Sequence, residues 1–175
     1  MFSPEAFEII KEMQSDNVIG RFAIGGAFAT IFYKIEAAET EDVDVFVDLA
    51  ANFDELMGSV TRINSYLERR GGIPEGGAIR LEGTLIQILP PEGKLVEDAI
   101  LHAVPQMFAG IEIPVFTAEY LAAIALKLGR PKDRTRLVQF AAPGVLDSAR
   151  FEAILKEHGL IEKWTLFRAT LREQS

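Results

Sequence analysis

Residues 21–49 read RFAIGGAFATIFYKIEAAETEDVDVFVDL, and the alternation that closes this stretch decides the fold class. Val43, Val45 and Val47 fall on one side of an extended chain, while Asp42, Asp44, Phe46 and Asp48 fall on the other. Such a strand buries its valines and turns neighbouring carboxylates the same way. At ~5 Å and an effective dielectric of about 20, two carboxylates repel by roughly 3 kcal/mol. The pair therefore implies a counter-cation, a raised pKa or full exposure to solvent.

Working outward, VIGRFAIGG reads as a short buried strand ending in Gly25-Gly26, and AFATIFYKIE as the helix it feeds. Upstream, Phe7, Ile10 and Met13 recur at helical spacing behind Pro4, with Ser3 as the expected N-cap. Downstream, Phe53, Leu56, Val60, Ile63 and Leu67 mark a crossover helix stopped by Gly71 and Gly72. AIRLEGTLIQILPP predicts two strands bent about Glu82-Gly83-Thr84, with Leu85, Gln87 and Leu89 sharing a face. KLVEDAILHAV predicts a helix, and IEIPVF a strand that Pro114 pushes towards a sheet edge. RRGGIPEGGA reads as a mobile glycine-rich loop. From Thr117 the pattern is helical through four segments separated by Gly or Pro. The expectation is one domain over residues 1–175, an α/β core over 1–116 followed by a helical part over 117–175.

The composition is that of a globular protein: 49% hydrophobic and 25% charged residues. The absence of cysteine excludes disulfides, thiolate zinc sites and cysteine nucleophiles. With no long apolar run and no signal-like N-terminus, the expected location is the cytoplasm, without membrane contact. A net charge of −8 excludes a broad nucleic-acid surface, so any phosphate-bearing ligand must be held by a few cations or a metal.

A glycine pair between strand and helix lets phosphate approach backbone N–H groups, although taken alone it is more often a plain tight turn. Neither a three-glycine dinucleotide fingerprint nor a Gly-Lys-Ser/Thr loop is present. Asp42 and Asp44 beyond that turn suit a Mg²⁺-nucleotide, since carboxylate and phosphate oxygens together complete the ion's coordination. An exposed acidic face extending through Asp48 is the simpler alternative. Lys127, Arg130, Lys132, Arg134 and Arg136 concentrate positive charge, either as a solvated helix face or to neutralise a triphosphate; Lys127 and Arg130 are the preferred phosphate contacts. Asp133 either pairs with Arg130 or Arg136 or complements its helix start. His102 and His158 have no partner pattern and read as structural. Trp164, Phe22, Phe28, Phe32 and Phe46 suit packing, except that Phe46 shares the face of the two aspartates and could cover or plug the site.

IGGAFA followed by TEDVDVFVDL resembles the nucleotidyltransferase superfamily related to DNA polymerase β. FTAEYLAAIALKLGRPKDRTRL is similar to the downstream stretch of the AbiEii-like and related minimal nucleotidyltransferases, so the likeness spans roughly Ile19 to Trp164. It implies a mixed β-sheet flanked by helices, with Gly25 and Gly26 holding nucleotide phosphates alongside Lys127, Arg130 and Lys132. It further implies that Asp42 and Asp44 bind Mg²⁺, and that a nucleotidyl group passes from an NTP to a hydroxyl acceptor. A third carboxylate belongs in GTLIQILP, where this chain has Gln87. An amide brings no negative charge and accepts no proton. Either another acid such as Glu82 substitutes, or the chain is a degenerate nucleotide- or protein-binding member, one partner of a toxin–antitoxin or phage-defence pair. An open sheet edge also leaves room for a homodimer across the site.

Overall fold

In the computed structural model, residues 2–36, 40–48 and 53–173 are described, with only the backbone of 53, 54, 56 and 173. The chain runs α1 (Pro4–Ser15), β1 (Phe22–Gly25), α2 (Gly26–Ala29), a 3-10 turn (Thr30–Tyr33), β2 (Asp42–Val47) and α3 (Phe53–Arg69). It continues through β3 (Ile73–Glu75), β4 (Ala78–Leu81), β5 (Thr84–Leu89), α4 (Lys94–Leu101), β6 (Val104–Phe108) and β7 (Ile111–Val115). Four helices follow: α5 (Ala118–Leu128), α6 (Pro131–Phe140), α7 (Ser148–Glu157) and α8 (Ile161–Glu173). The fold is mixed α/β, a seven-stranded sheet ordered β3-β4-β5-β2-β1-β7-β6 with helices around it.

β2 sits at the centre, antiparallel to β1 and parallel to β5. Val43, Val45 and Val47 are fully buried, as the alternation requires, while Asp42, Asp44 and Phe46 are half-buried on the opposite face. α1 packs on β7 and α3 on β4, and the two helices touch, so both cover one face. Phe7, Phe28 and Phe108 form an aromatic knot there, with ring centroids 5.1 to 5.4 Å apart. In α3, Ile63 and Leu67 are buried, whereas the side chains of Phe53 and Leu56 lie outside the described residues. Gly72 N donates to Leu67 O at 2.8 Å and closes that helix.

Several sequence expectations need correction. RRGGIPEGGA is a β-hairpin: β3 and β4 pair across Gly76-Gly77, both at positive φ as a tight two-residue turn demands. AFATIFYKIE makes one α-turn and one 3-10 turn, because Thr30 Oγ1 bonds back to Ala27 O at 2.7 Å and Lys34 turns left-handed. Ser3 holds the N-cap position, but its hydroxyl donates to the Glu5 carboxylate and caps no backbone N–H. α4 stops at Leu101 and Val104 opens a strand, since a residue before Pro105 avoids helical backbone. That strand, β6, takes the sheet edge, so Pro114 lies one strand inside. Pro114 cannot donate a ladder bond, and β7 meets β1 through the single register pair Ile24↔Val115.

The centre of the sheet tolerates no added atom at Gly25. A Cβ there would lie 2.6 Å from Phe46 Cε2 and 2.7 Å from Phe116 Cε2. Gly25→Ala is expected to cost about 1–3 kcal/mol through overpacking, read as a lower urea midpoint at unchanged slope.

Candidate functional site

The strand register brings the site together. Gly25 of β1 pairs with Asp44 of β2, and Asp44 pairs in turn with Gln87 of β5, so three sequence-separated positions form one row across the sheet. That row opens on a cavity of about 550 Å³, lined on the strand side by Gly26, Asp42, Asp44, Phe46 and Gln87. The volume suits a small-molecule ligand. α5 and α6 form the facing wall, contributing Lys127, Arg130, Lys132 and Arg136.

The two glycines have different reasons for being glycine. Gly25 is buried beneath the Phe46 and Phe116 rings, whose centroids are 5.0 Å apart, and it does not line the cavity. Gly26 has φ +62°, and a Cβ there would fall 1.9 Å from Asp44 Oδ2. Its missing side chain seats the Asp44 carboxylate. The single turn of α2 also offers little of the dipole that a longer helix would present to a phosphate.

Burial pushes the Asp44 carboxyl above the usual range, the neighbouring Asp42 adds to it, and Lys132, Arg130 and Arg136 partly offset both. Asp42 Oδ1 accepts a 2.8 Å hydrogen bond from Thr40 Oγ1, a partner that sequence reading missed. Gln87 stands at the expected third-ligand position and remains an amide. Glu82 is exposed at the β4–β5 turn, at φ +48°, and does not line the cavity. Glu41 and Glu92 do line it, although nothing in their sequence context distinguishes them from surface acids.

On the cationic wall, Asp133 is buried and takes both local partners. Arg130 Nε reaches Asp133 Oδ2 at 2.6 Å and Nη2 reaches Oδ1 at 3.2 Å, while Arg136 Nη1 stands 3.8 Å from Oδ1. Arg130 is thus held in place by a carboxylate that neutralises part of its charge. Arg136 is 11% exposed and its buried Nε has no hydrogen-bond partner. Lys132 lines the cavity, whereas the exposed Arg134 does not.

Away from this cavity, the described residues hold one cluster of three close enough to share a metal ion: Asp98, Glu157 and His158. His158, read from sequence as lacking partners, stands 3.2 Å from Asp98. Among the described residues, no helix is long and apolar enough to cross a membrane.

No family model and no curated protein matches the chain. Among solved structures it is similar to ANT(2″)-Ia in complex with adenylyl-2″-tobramycin, at 12% identity and TM-score 0.46 over 98% of each chain. It is also similar to an antigenic nucleotidyltransferase-like protein from Paracoccidioides brasiliensis, at 16% identity and TM-score 0.49 over 94% of this chain and 89% of that one.

The raised Asp44 pKa has a definite sign. The folded state holds the Asp44 proton at pH values where the unfolded state has lost it, so ionisation there opposes folding and stability falls as pH rises through the folded pKa. Asp44→Asn is expected to be more stable than wild type at pH 7, with the gain vanishing below the ordinary aspartate pKa. Urea midpoints at pH 7 and pH 3 check this.

Proposed function

We propose that this chain binds a nucleoside triphosphate with Mg²⁺ and transfers its nucleotidyl group to a hydroxyl acceptor. One observation carries the reading: Asp42 and Asp44, with Glu41, Glu92 and Asp133, border the same 550 Å³ cavity as four cationic side chains, on walls that belong to different parts of the chain. Two carboxylates with substrate phosphates are the ligand set that suits Mg²⁺, whereas a site made only of protein ligands would need more of them. Bound Mg²⁺ would neutralise phosphate charge and hold the triphosphate for in-line displacement.

The chain's own groups divide the remaining work. Thr40 fixes one oxygen of Asp42, and the Gly26 backbone leaves space for the Asp44 carboxylate. The unpartnered Arg136 Nε is a donor awaiting an anion, and Lys127 and Lys132 supply mobile positive charge for phosphate oxygens. Asp133 orients the Arg130 fork towards the same cavity. In the transfer, the acceptor oxygen bonds to the α-phosphorus as the bond to pyrophosphate breaks, and the acceptor proton leaves to solvent. Gln87 cannot take that proton.

Gln87 favours a second reading, in which the nucleotide is held without turnover and a protein partner, as in a toxin–antitoxin or phage-defence pair of the AbiEii-like kind, completes the function. Incubation with each labelled NTP, Mg²⁺ and candidate hydroxyl acceptors separates the two. The first reading expects label transfer, reduced at least about a hundredfold in Asp44→Ala. The second expects Mg²⁺-dependent NTP binding by calorimetry with no transfer in wild type, and transfer gained in Gln87→Asp. Absence of NTP binding in wild type at millimolar concentrations overturns both.

A further inference from the structure

Asp98 lies on α4 and is 4% exposed, while Glu157 and His158 lie at the end of α7. One ligand atom from each of the three falls within 4.8 Å of the others. Proximity alone would be ordinary, but two buried donor atoms in the cluster also lack a hydrogen bond. Asp98 Oδ2 and His158 Nε2 are buried, stand 3.2 Å apart, and neither completes a hydrogen bond. They stand at ion-pair distance from each other, yet a buried polar atom that completes no hydrogen bond carries a desolvation cost. We propose that Asp98, Glu157 and His158 form a second cation site, for a borderline divalent ion of the Zn²⁺ class, that ties α4 to α7.

The geometry and the donor types agree on that class. Two ligands on one tetrahedral zinc, with bonds of ~2.0–2.1 Å, stand about 3.3 Å apart, close to the separation of the two orphaned atoms. An imidazole with two carboxylates suits Zn²⁺, Co²⁺ or Ni²⁺, whereas Mg²⁺ prefers oxygen ligands alone. Lys94 pairs with Asp98 Oδ1, which orients Oδ2 towards His158, the arrangement that supports metal-bound carboxylates elsewhere. Glu157 is exposed, so the site opens to solvent on one side, where water can fill a fourth position. The Tyr120 hydroxyl is pushed up to about 12 by burial and by the negative charge of Asp98 and Glu157, a sign of local anionic excess. An ion here would join the strand-bearing part of the chain to the C-terminal helices.

Zn²⁺ titrated into the metal-stripped protein and followed by calorimetry tests the site, with Co²⁺ visible absorption as a second readout. The expected result is one Zn²⁺ per chain, a higher melting temperature with Zn²⁺, and visible Co²⁺ bands typical of a nitrogen-containing site. Glu157→Gln and His158→Gln should each weaken binding at least about tenfold, while Asp42→Asn with Asp44→Asn leaves it intact. The exposed Glu157 carries the test if His158→Gln does not fold. Absence of Zn²⁺ binding in wild type, binding unaffected by Glu157→Gln, or binding lost only in the Asp42/Asp44 variant would each overturn the assignment. Mg²⁺-NTP binding should persist in Glu157→Gln, so failure here is distinct from failure of the nucleotidyl-transfer reading.

Discussion

The seating of the Asp44 carboxylate against Gly26 is the constraint on which the site depends. Asp44 is carried into the cavity by a strand whose valines fill the core, so its direction is fixed by burial on the other face of the same strand. Its oxygen then occupies the volume that any side chain at position 26 would need. The glycine pair and the aspartate pair are therefore one steric unit. Moving the β2 register by one residue would bury two aspartates and expose three valines.

That unit was legible because its determinants are local. The alternation of residues 42–48, the Gly-Gly break and the helical spacing after Thr117 each express a backbone period, and each element exists where the pattern placed it. The elements that were misread obey rules that local hydrophobicity does not carry. β3 forms because two glycines accept positive φ, and β6 begins because Pro105 forbids helix before it. The site was visible only in part. Asp42, Asp44, Gln87, Lys127, Arg130 and Lys132 do share a cavity, yet Thr40, Glu41 and Glu92 enter it through loop geometry that no periodicity encodes. Gly25, expected beside the phosphates, lies beneath the packed rings of Phe46 and Phe116 and outside the cavity lining. His158 meets Asp98 across sixty residues of chain, a pairing set by helix docking and invisible to spacing.

The charges in the cavity form a graded arrangement. Arg130 is committed to Asp133, Arg136 reaches the same carboxylate only at 3.8 Å, and both lower the cost of ionising Asp44 from a distance. A wall of this kind is partly compensated before any ligand arrives. Arg136 Nε still has no hydrogen-bond partner, so the compensation is incomplete.

The narrowest join in the sheet lies beside this cavity. β1 and β7 share one register pair, reinforced by Phe116 N donating to Ile24 O at 2.9 Å. Phe116 also covers Gly25, lines the cavity, and accepts the Tyr33 hydroxyl on its carbonyl at 2.8 Å. Phe116 thus stands both at the join between the β6–β7 ribbon and the rest of the sheet and in the wall of the cavity.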